Sequence, residues 1–165
     1  MNKIKKLSLA AVLCAAALII FVIEAQIPVP VPIPGVKLGL ANVITLFALM
    51  FLDTKSAFAI LVTRILLGSL ITGQLSAIPY SLSGGLCCLA IEAICIKFLG
   101  KKFICEISII GAMVHVAAQL VCAALITQTA SVFVYLPPLL ITSIITGAFC
   151  GLCTKYVEKA LTKKA

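Results

Sequence analysis

Residues 27–51, IPVPVPIPGVKLGLANVITLFALMF, decide how the chain is organised. The first part carries proline at every second position: Pro28, Pro30, Pro32 and Pro34. Proline fixes φ and lacks an N–H, so this part is predicted to be a stiff extended loop. From residue 35 the pattern becomes apolar and helical, and it carries Lys37 and Asn42 into a predicted membrane span. Polar groups are costly in lipid, so we interpret this junction as the mouth of a binding site.

The composition is that of an integral membrane protein. Of the 165 residues, 63% are hydrophobic and 11% are charged, whereas soluble domains have about 25% charged residues. A span needs about 20 apolar residues, so the length suffices for five or six helices. We expect one transmembrane domain over residues 1–165. The net charge of +8 is attributed to membrane topology, and nucleic acid is not expected as a partner.

Apolar runs predict six transmembrane helices, at residues 7–25, 35–52, 57–72, 81–99, 107–126 and 139–153, with a basic tail at 155–165. The fold class is therefore predicted to be an all-α bundle in the bacterial cytoplasmic membrane. Cytoplasmic N- and C-termini satisfy the positive-inside rule, because eleven of the thirteen basic residues then lie inside. These are Lys3, Lys5, Lys6, Lys55, Lys97, Lys101, Lys102, Lys155, Lys159, Lys163 and Lys164.

Three charged or titratable residues lie near the middle of predicted spans, namely Arg64, Glu92 and His115. Their comparable depth predicts a buried Arg64–Glu92 ion pair, which would either hold two helices in register or brace the floor of a cavity. His115 shares a helical face with Gln119, one turn further on. That face is interpreted as a pocket wall, and the alternative is a satisfied residue inside the bundle.

Further polar residues are predicted at the outer mouth. We therefore predict a substrate-binding set of seven residues. Two alternatives stay open: Lys37 snorkels to the headgroups, and the tyrosines are ordinary interfacial anchors. Lys37 favours an anionic ligand. The set comprises Lys37, Asn42, Gln74, Tyr80, His115, Gln119 and Tyr135.

The sequence offers little for catalysis. Its five acidic residues are not clustered, although Mg²⁺-dependent prenyl diphosphate chemistry needs grouped oxygen ligands. No nucleotide-binding motif occurs. Cys150 and Cys153 have CxxC spacing, but no second pair or nearby His accompanies them. We therefore expect no enzyme activity, no cofactor and no metal. Uphill transport would draw its energy from a partner or an ion gradient.

Several runs resemble a known family: PGVKLGLANVITLFAL (34–49), YSLSGG (80–85), IIGAMVHVAAQL (109–120) and YLPPLL (135–140). They resemble the bacterial Gx transporter family, which is also labelled heptaprenyl diphosphate synthase component I. That family is similar to the S components of energy-coupling factor transporters. The resemblance implies a six-helix protein that captures a vitamin-like solute beneath its first outer loop.

The resemblance also implies partners. Small residues on the first helix, here Ala11 and Ala15, would dock on a transmembrane coupling protein driven by two ATPase subunits; internal bundle packing is the alternative. The favoured function is thus solute uptake as a substrate-binding subunit. Two others stay open: a non-catalytic membrane component of polyprenyl diphosphate synthesis, and an independent ion-coupled carrier with Glu92 and His115 as relay.

Overall fold

The computed structural model describes residues 3–27 and 37–162, and this part of the chain forms an all-α bundle. Within these residues, five of the six predicted helices are long and apolar enough to cross a membrane. The sixth, α2, has 10 residues and is about 15 Å long, half the thickness of a hydrocarbon core. The helices are α1 (Lys3–Glu24), α2 (Asn42–Phe51), α3 (Thr54–Thr72), α4 (Ile78–Leu99), α5 (Ile104–Thr127) and α6 (Leu136–Thr162).

The predicted start of the second helix at residue 35 is wrong for the residues that the structure describes. Residues 37–41 are not helical, and α2 begins only at Asn42. Gly39 has φ +83°, a left-handed conformation that interrupts any right-handed helix. The chain therefore enters the bundle as a non-helical segment. The predicted extended proline-rich loop at residues 28–34 lies outside the described residues.

The other helices begin earlier than predicted. Pro79 lies in the first turn of α4, and Pro137 and Pro138 lie in the first turn of α6. A proline is tolerated there because the N–H groups of the first turn have no partner within the helix. The predicted basic tail is not separate, because α6 continues through it to Thr162.

Capping groups fix the ends of α3. The side chain of Asp53 accepts a hydrogen bond from Ser56 N (3.2 Å), which caps the first turn. At the other end Gly73 adopts φ +69°, and Gly73 N donates to the carbonyl of Leu70. The helix thus starts directly after α2 and ends before the short 3-10 helix Leu75–Ala77.

Helix packing leaves α2 inside the bundle. Helix α1 packs on α3, α4 packs on α5, and α5 packs on α6, while α2 contacts α1, α3, α4 and α6. Two lysine contacts connect the chain segments that carry most of the basic residues, and these segments lie at one end of the bundle. Lys6 pairs with Asp53 (3.1 Å), and Lys101 Nζ donates to the carbonyl of Met50 (2.6 Å). The cytoplasmic orientation of this end stays a prediction.

Candidate functional site

A polar cavity lies where the start of α2 meets α1, α3, α4 and α5. Its volume is about 10 Å³, which is room for one water molecule. Eight of its ten lining residues are polar or glycine, although the bundle around them is apolar. The lining consists of Phe21, Glu24, Lys37, Gly39, Asn42, Arg64, Ile65, Ser81, His115 and Gln119.

Glu24, at the end of α1, holds the segment that enters the cavity. Its carboxylate accepts hydrogen bonds from Gly39 N and from Ala41 N, the latter at 3.4 Å. Besides its positive φ, Gly39 leaves no room for a side chain, because a Cβ there would lie 2.9 Å from Asn42 Nδ2. Glu24 and Gly39 together set the position of Lys37 and of the first turn of α2.

Asn42 connects a cation on α3 to the imidazole on α5. Arg64 Nη2 donates to Asn42 Oδ1 (2.5 Å), and Asn42 Nδ2 lies 3.1 Å from His115 Nδ1. A guanidinium can only donate, so the oxygen of the Asn42 amide must face Arg64 and its NH₂ must face His115. His115 Nδ1 is therefore the acceptor, and a neutral ring carries its proton on Nε2.

Lys37 is buried although it lies outside the helices, with 6% of its surface exposed. Its Nζ lies 3.4 Å from the centroid of the Phe21 ring, a cation–π contact. Its backbone N donates to Gln119 Oε1 (3.4 Å). Burial lowers the pKa of Lys37 to about 8; the negative charge of Glu24 partly opposes this shift, and the positive charge of Arg64 adds to it. The ammonium charge therefore titrates just above neutral pH.

Most of the unsatisfied groups around the cavity are hydrogen-bond donors. An ammonium and a guanidinium N–H can only donate, and Gln119 already accepts through its oxygen, which leaves its NH₂ free. With Lys37 protonated, two cations and one carboxylate give the cavity a net charge of +1. Within the described residues, the cavity atoms without a hydrogen-bond partner are Lys37 Nζ, Arg64 Nε, Ser81 Oγ, His115 Nε2 and Gln119 Nε2.

A family model described as heptaprenyl diphosphate synthase component I matches residues 13–157. The chain belongs to this family. The matched residues include every residue that lines the polar cavity. Comparison with curated proteins and with solved structures finds no match. The predicted family is thus confirmed, and the cavity lies within the part of the chain that the family model matches.

Four of the predicted substrate-binding residues meet at the cavity: Lys37, Asn42, His115 and Gln119. The other three do not line it. Tyr80 is buried in an apolar cluster with Val116, Leu120 and Val132, and Tyr135 packs against that cluster. Gln74 is exposed and precedes the 3-10 helix after α3.

The predicted ion pair between Arg64 and Glu92 is not formed. Asn42 takes a hydrogen bond of the guanidinium, and Glu92 Oε2 has no hydrogen-bond partner among the described residues. Both residues are buried, with 3% and 2% of their surfaces exposed. Arg64 lines the polar cavity, whereas Glu92 lines a second cavity.

Sequence reasoning missed two polar residues of the cavity, Glu24 and Ser81. Glu24 lies at the end of the first predicted helix and no role was predicted for it, yet only 3% of its surface is exposed. A signal was available: a carboxylate at the end of an apolar helix is costly in lipid without partners. The nearby chain supplies those partners as backbone N–H groups.

The second cavity also has a volume of about 10 Å³, and it shares Gly39 and Asn42 with the first. Helices α4, α5 and α6 provide the rest of its wall. Among the described residues, no group of three or more His, Cys, Asp or Glu is placed to hold a metal ion. The lining consists of Gly39, Asn42, Cys88, Glu92, Ser108, Ala112, Thr146, Gly147 and Cys150.

A shallow groove runs along the outside of α1 and α3. Ala11 and Ala15 are both exposed and line it. Its volume is about 410 Å³, and its floor is built mainly from small side chains, including Ala10, Cys14 and Ala59. A second helix can approach closely where side chains are small.

Proposed function

We propose that this protein is the substrate-binding membrane subunit of an energy-coupling-factor type transporter, and that it captures a small anionic, vitamin-like solute at the polar cavity. The observation that carries the proposal is the set of buried donors without partners. Leaving one such group unsatisfied costs about 1–3 kcal/mol. Several converging on one cavity are expected where a ligand satisfies them.

The charge and shape of the cavity favour a monoanion with an apolar portion. The two positive charges of Lys37 and Arg64 exceed the single negative charge of Glu24 by one. Phe21 and Ile65 supply an apolar wall. A carboxylate accepts from several donors and neutralises the excess charge. The cavity has room for one water. A larger solute therefore enters only when the Lys37 side chain leaves the Phe21 ring and the non-helical residues 37–41 shift.

This function assigns no catalytic step to the chain. Energy comes instead from a transmembrane coupling protein with two ATPase subunits, and the groove at Ala11 and Ala15 is the proposed docking face for a helix of the coupling protein. The second candidate is a non-catalytic membrane component of polyprenyl diphosphate synthesis. It is favoured by the description of the family to which the chain belongs.

Ligand binding tests the first proposal through Lys37. Purified protein is titrated with acetate, benzoate, nicotinate and inorganic phosphate while its thermal unfolding is followed. We expect at least one carboxylate to stabilise the protein, and Lys37→Met to weaken that binding about 10- to 100-fold, since a charge-assisted hydrogen bond contributes about 1.5–3 kcal/mol. Lys102→Met, an exposed lysine at the basic end, is the matched control. Equal affinities in the two variants would remove Lys37 from the site.

Co-purification separates the two candidate functions. The tagged protein is isolated from native membranes in mild detergent, and its partners are identified by mass spectrometry. A membrane protein together with two ATPases supports the transporter subunit. A soluble prenyl diphosphate synthase without ATPases contradicts it and supports the second candidate.

A further inference from the structure

Glu92 is a buried acid that the proposed ligand site does not use. It projects from α4 into the second cavity, 2% exposed, and its Oε2 has no hydrogen-bond partner among the described residues. The packing is built around it, since a Cβ on Gly111 of α5 would lie 2.6 Å from Glu92 Oε1. Burying an ionised carboxylate without a cation in contact with it is costly, so a counter-charge beside this group would stabilise the folded protein.

The nearest protein cation does not neutralise Glu92 directly. Arg64 on α3 acts on Glu92 at longer range, while its guanidinium bonds Asn42. The other titratable groups nearby supply no cation. The Cys88 thiol, on the same helix, is a hydrogen-bond partner of the Glu92 side chain, Cys150 lies on α6, and Nδ1 of His115 on α5 faces Asn42. From α2 comes only the uncharged amide of Asn42. No cation of the described residues therefore contacts Glu92 directly, and a cation bound beside it would supply that contact.

The cavity beside Glu92 fits a small cation. It has room for one water-sized particle, and hydroxyl-bearing residues from two further helices, Ser108 on α5 and Thr146 on α6, line it. The Thr146 hydroxyl donates to the carbonyl of Ser143 (3.2 Å), so its lone pairs stay available to a cation. Hard cations prefer oxygen ligands of this kind. One carboxylate balances one positive charge, whereas a divalent ion would leave one positive charge uncompensated.

We infer that the second cavity is a binding site for one small monovalent cation, either a proton or Na⁺, with the Glu92 carboxylate as its counter-charge. The site shares Gly39 and Asn42 with the ligand cavity but has its own carboxylate, and the inference does not depend on what the ligand cavity binds. The two cavities share Asn42, which also bonds Arg64, so a change of charge at Glu92 is transmitted to the ligand cavity.

The test compares Na⁺ with a cation too large for the cavity. Thermal unfolding of the detergent-purified protein is measured in sodium chloride and in choline chloride at equal pH and ionic strength. Infrared spectra of the same samples report a protonated carboxyl group. The variants are Glu92→Gln, which is permanently neutral, and Glu106→Gln, the matched control at an exposed carboxylate of α5.

Two results support the inference, and they distinguish Na⁺ from a proton as the bound cation. If Na⁺ binds, it raises Tm by about 2–4 °C in the wild type and in Glu106→Gln but not in Glu92→Gln. If a proton binds, Na⁺ has no effect, and a carboxylic-acid band is present in the wild type and absent in Glu92→Gln. An ionised Glu92 that does not respond to Na⁺ overturns the inference. If Glu92→Gln does not fold, Glu92→Met, which is also neutral, takes its place, and a Na⁺ response or a carboxylic-acid band that persists unaltered in that variant overturns the inference.

Discussion

Asn42→Leu removes the amide that connects α3 to α5 while keeping the volume of the side chain. Its three side-chain hydrogen bonds are lost, and the weakest of them runs from Asn42 Nδ2 to Cys88 Sγ (3.8 Å). The bond from Arg64 (2.5 Å) is charge-assisted and contributes about 1.5–3 kcal/mol, and the bond to His115 (3.1 Å) is a neutral interhelical bond of about 0.6 kcal/mol. The free energy of unfolding should therefore fall by about 2–4 kcal/mol, mostly because a buried guanidinium loses its acceptor.

A double-mutant cycle isolates the Arg64–Asn42 interaction. Unfolding by sodium dodecyl sulfate in mild-detergent micelles is measured for Asn42→Leu, Arg64→Met and the double variant. The double variant should cost about 1.5–3 kcal/mol less than the sum of the single variants, because the shared bond is then counted once. Thr72→Val, which loses a hydroxyl bond within α3 (2.8 Å), is the control, with a cost of about 0.5 kcal/mol. Costs that add to within about 0.5 kcal/mol would refute the reasoning.

Three further predictions concern the ligand cavity and the proposed docking groove. Gly39→Ala should destabilise the protein by about 1–2 kcal/mol more than Gly73→Ala in the same unfolding assay, because both glycines have positive φ but only the first lacks space for a Cβ. Affinity for a bound carboxylate should fall as the pH rises through about 8, since Lys37 is charged below its pKa and neutral above it, and titration of Lys37→Met should show no such step. Ala15→Leu should fill the groove and so reduce co-purification of the coupling protein. Val12→Leu, at a residue exposed on the same helix but outside the groove, should leave the co-purified amount unchanged. Equal yields from the two variants would contradict docking at the groove.

Hydrophobic periodicity was enough to predict the helical class. The position of Arg64, Glu92 and His115 near the middle of predicted spans was enough to predict that they are buried. The second helix shows where periodicity fails. Its apolar pattern extends back towards residue 35, but Gly39 takes a left-handed conformation and Glu24 binds the backbone N–H groups of the segment. Those contacts join residues that are separated by 15 and 17 positions in the sequence. A local pattern contains no information about such contacts.

The site residues divide along the same line. His115 and Gln119 lie one turn apart on α5, so helical spacing alone places them on one face. The Arg64–Glu92 pair fails because equal depth fixes the height of two residues in a bundle but not the direction in which each side chain points. Asn42 comes from the short helix α2, and it lines both the cavity of Arg64 and the cavity of Glu92. Only the packed structure reveals that arrangement.

The two cavities together predict a linkage between anion and cation binding. Four buried charges, on Glu24, Lys37, Arg64 and Glu92, balance when all are ionised. An anion beside Lys37 and Arg64 leaves the interior with one excess negative charge, which a cation at Glu92 removes. Anion affinity should therefore rise with the cation identified above, and cation affinity should rise by the same factor when the anion is present, because coupling is reciprocal.

Glu92→Gln makes this linkage testable without knowledge of the natural solute. The variant is neutral at all times, so it should bind the carboxylate probe as tightly as the cation-loaded wild type and should no longer respond to the cation. Raising the pH through the pKa of Lys37 should still weaken binding in this variant, which separates the two titrations. If Glu92→Gln binds the probe more weakly than the wild type without cation, or keeps its cation dependence, the two cavities are not coupled through charge.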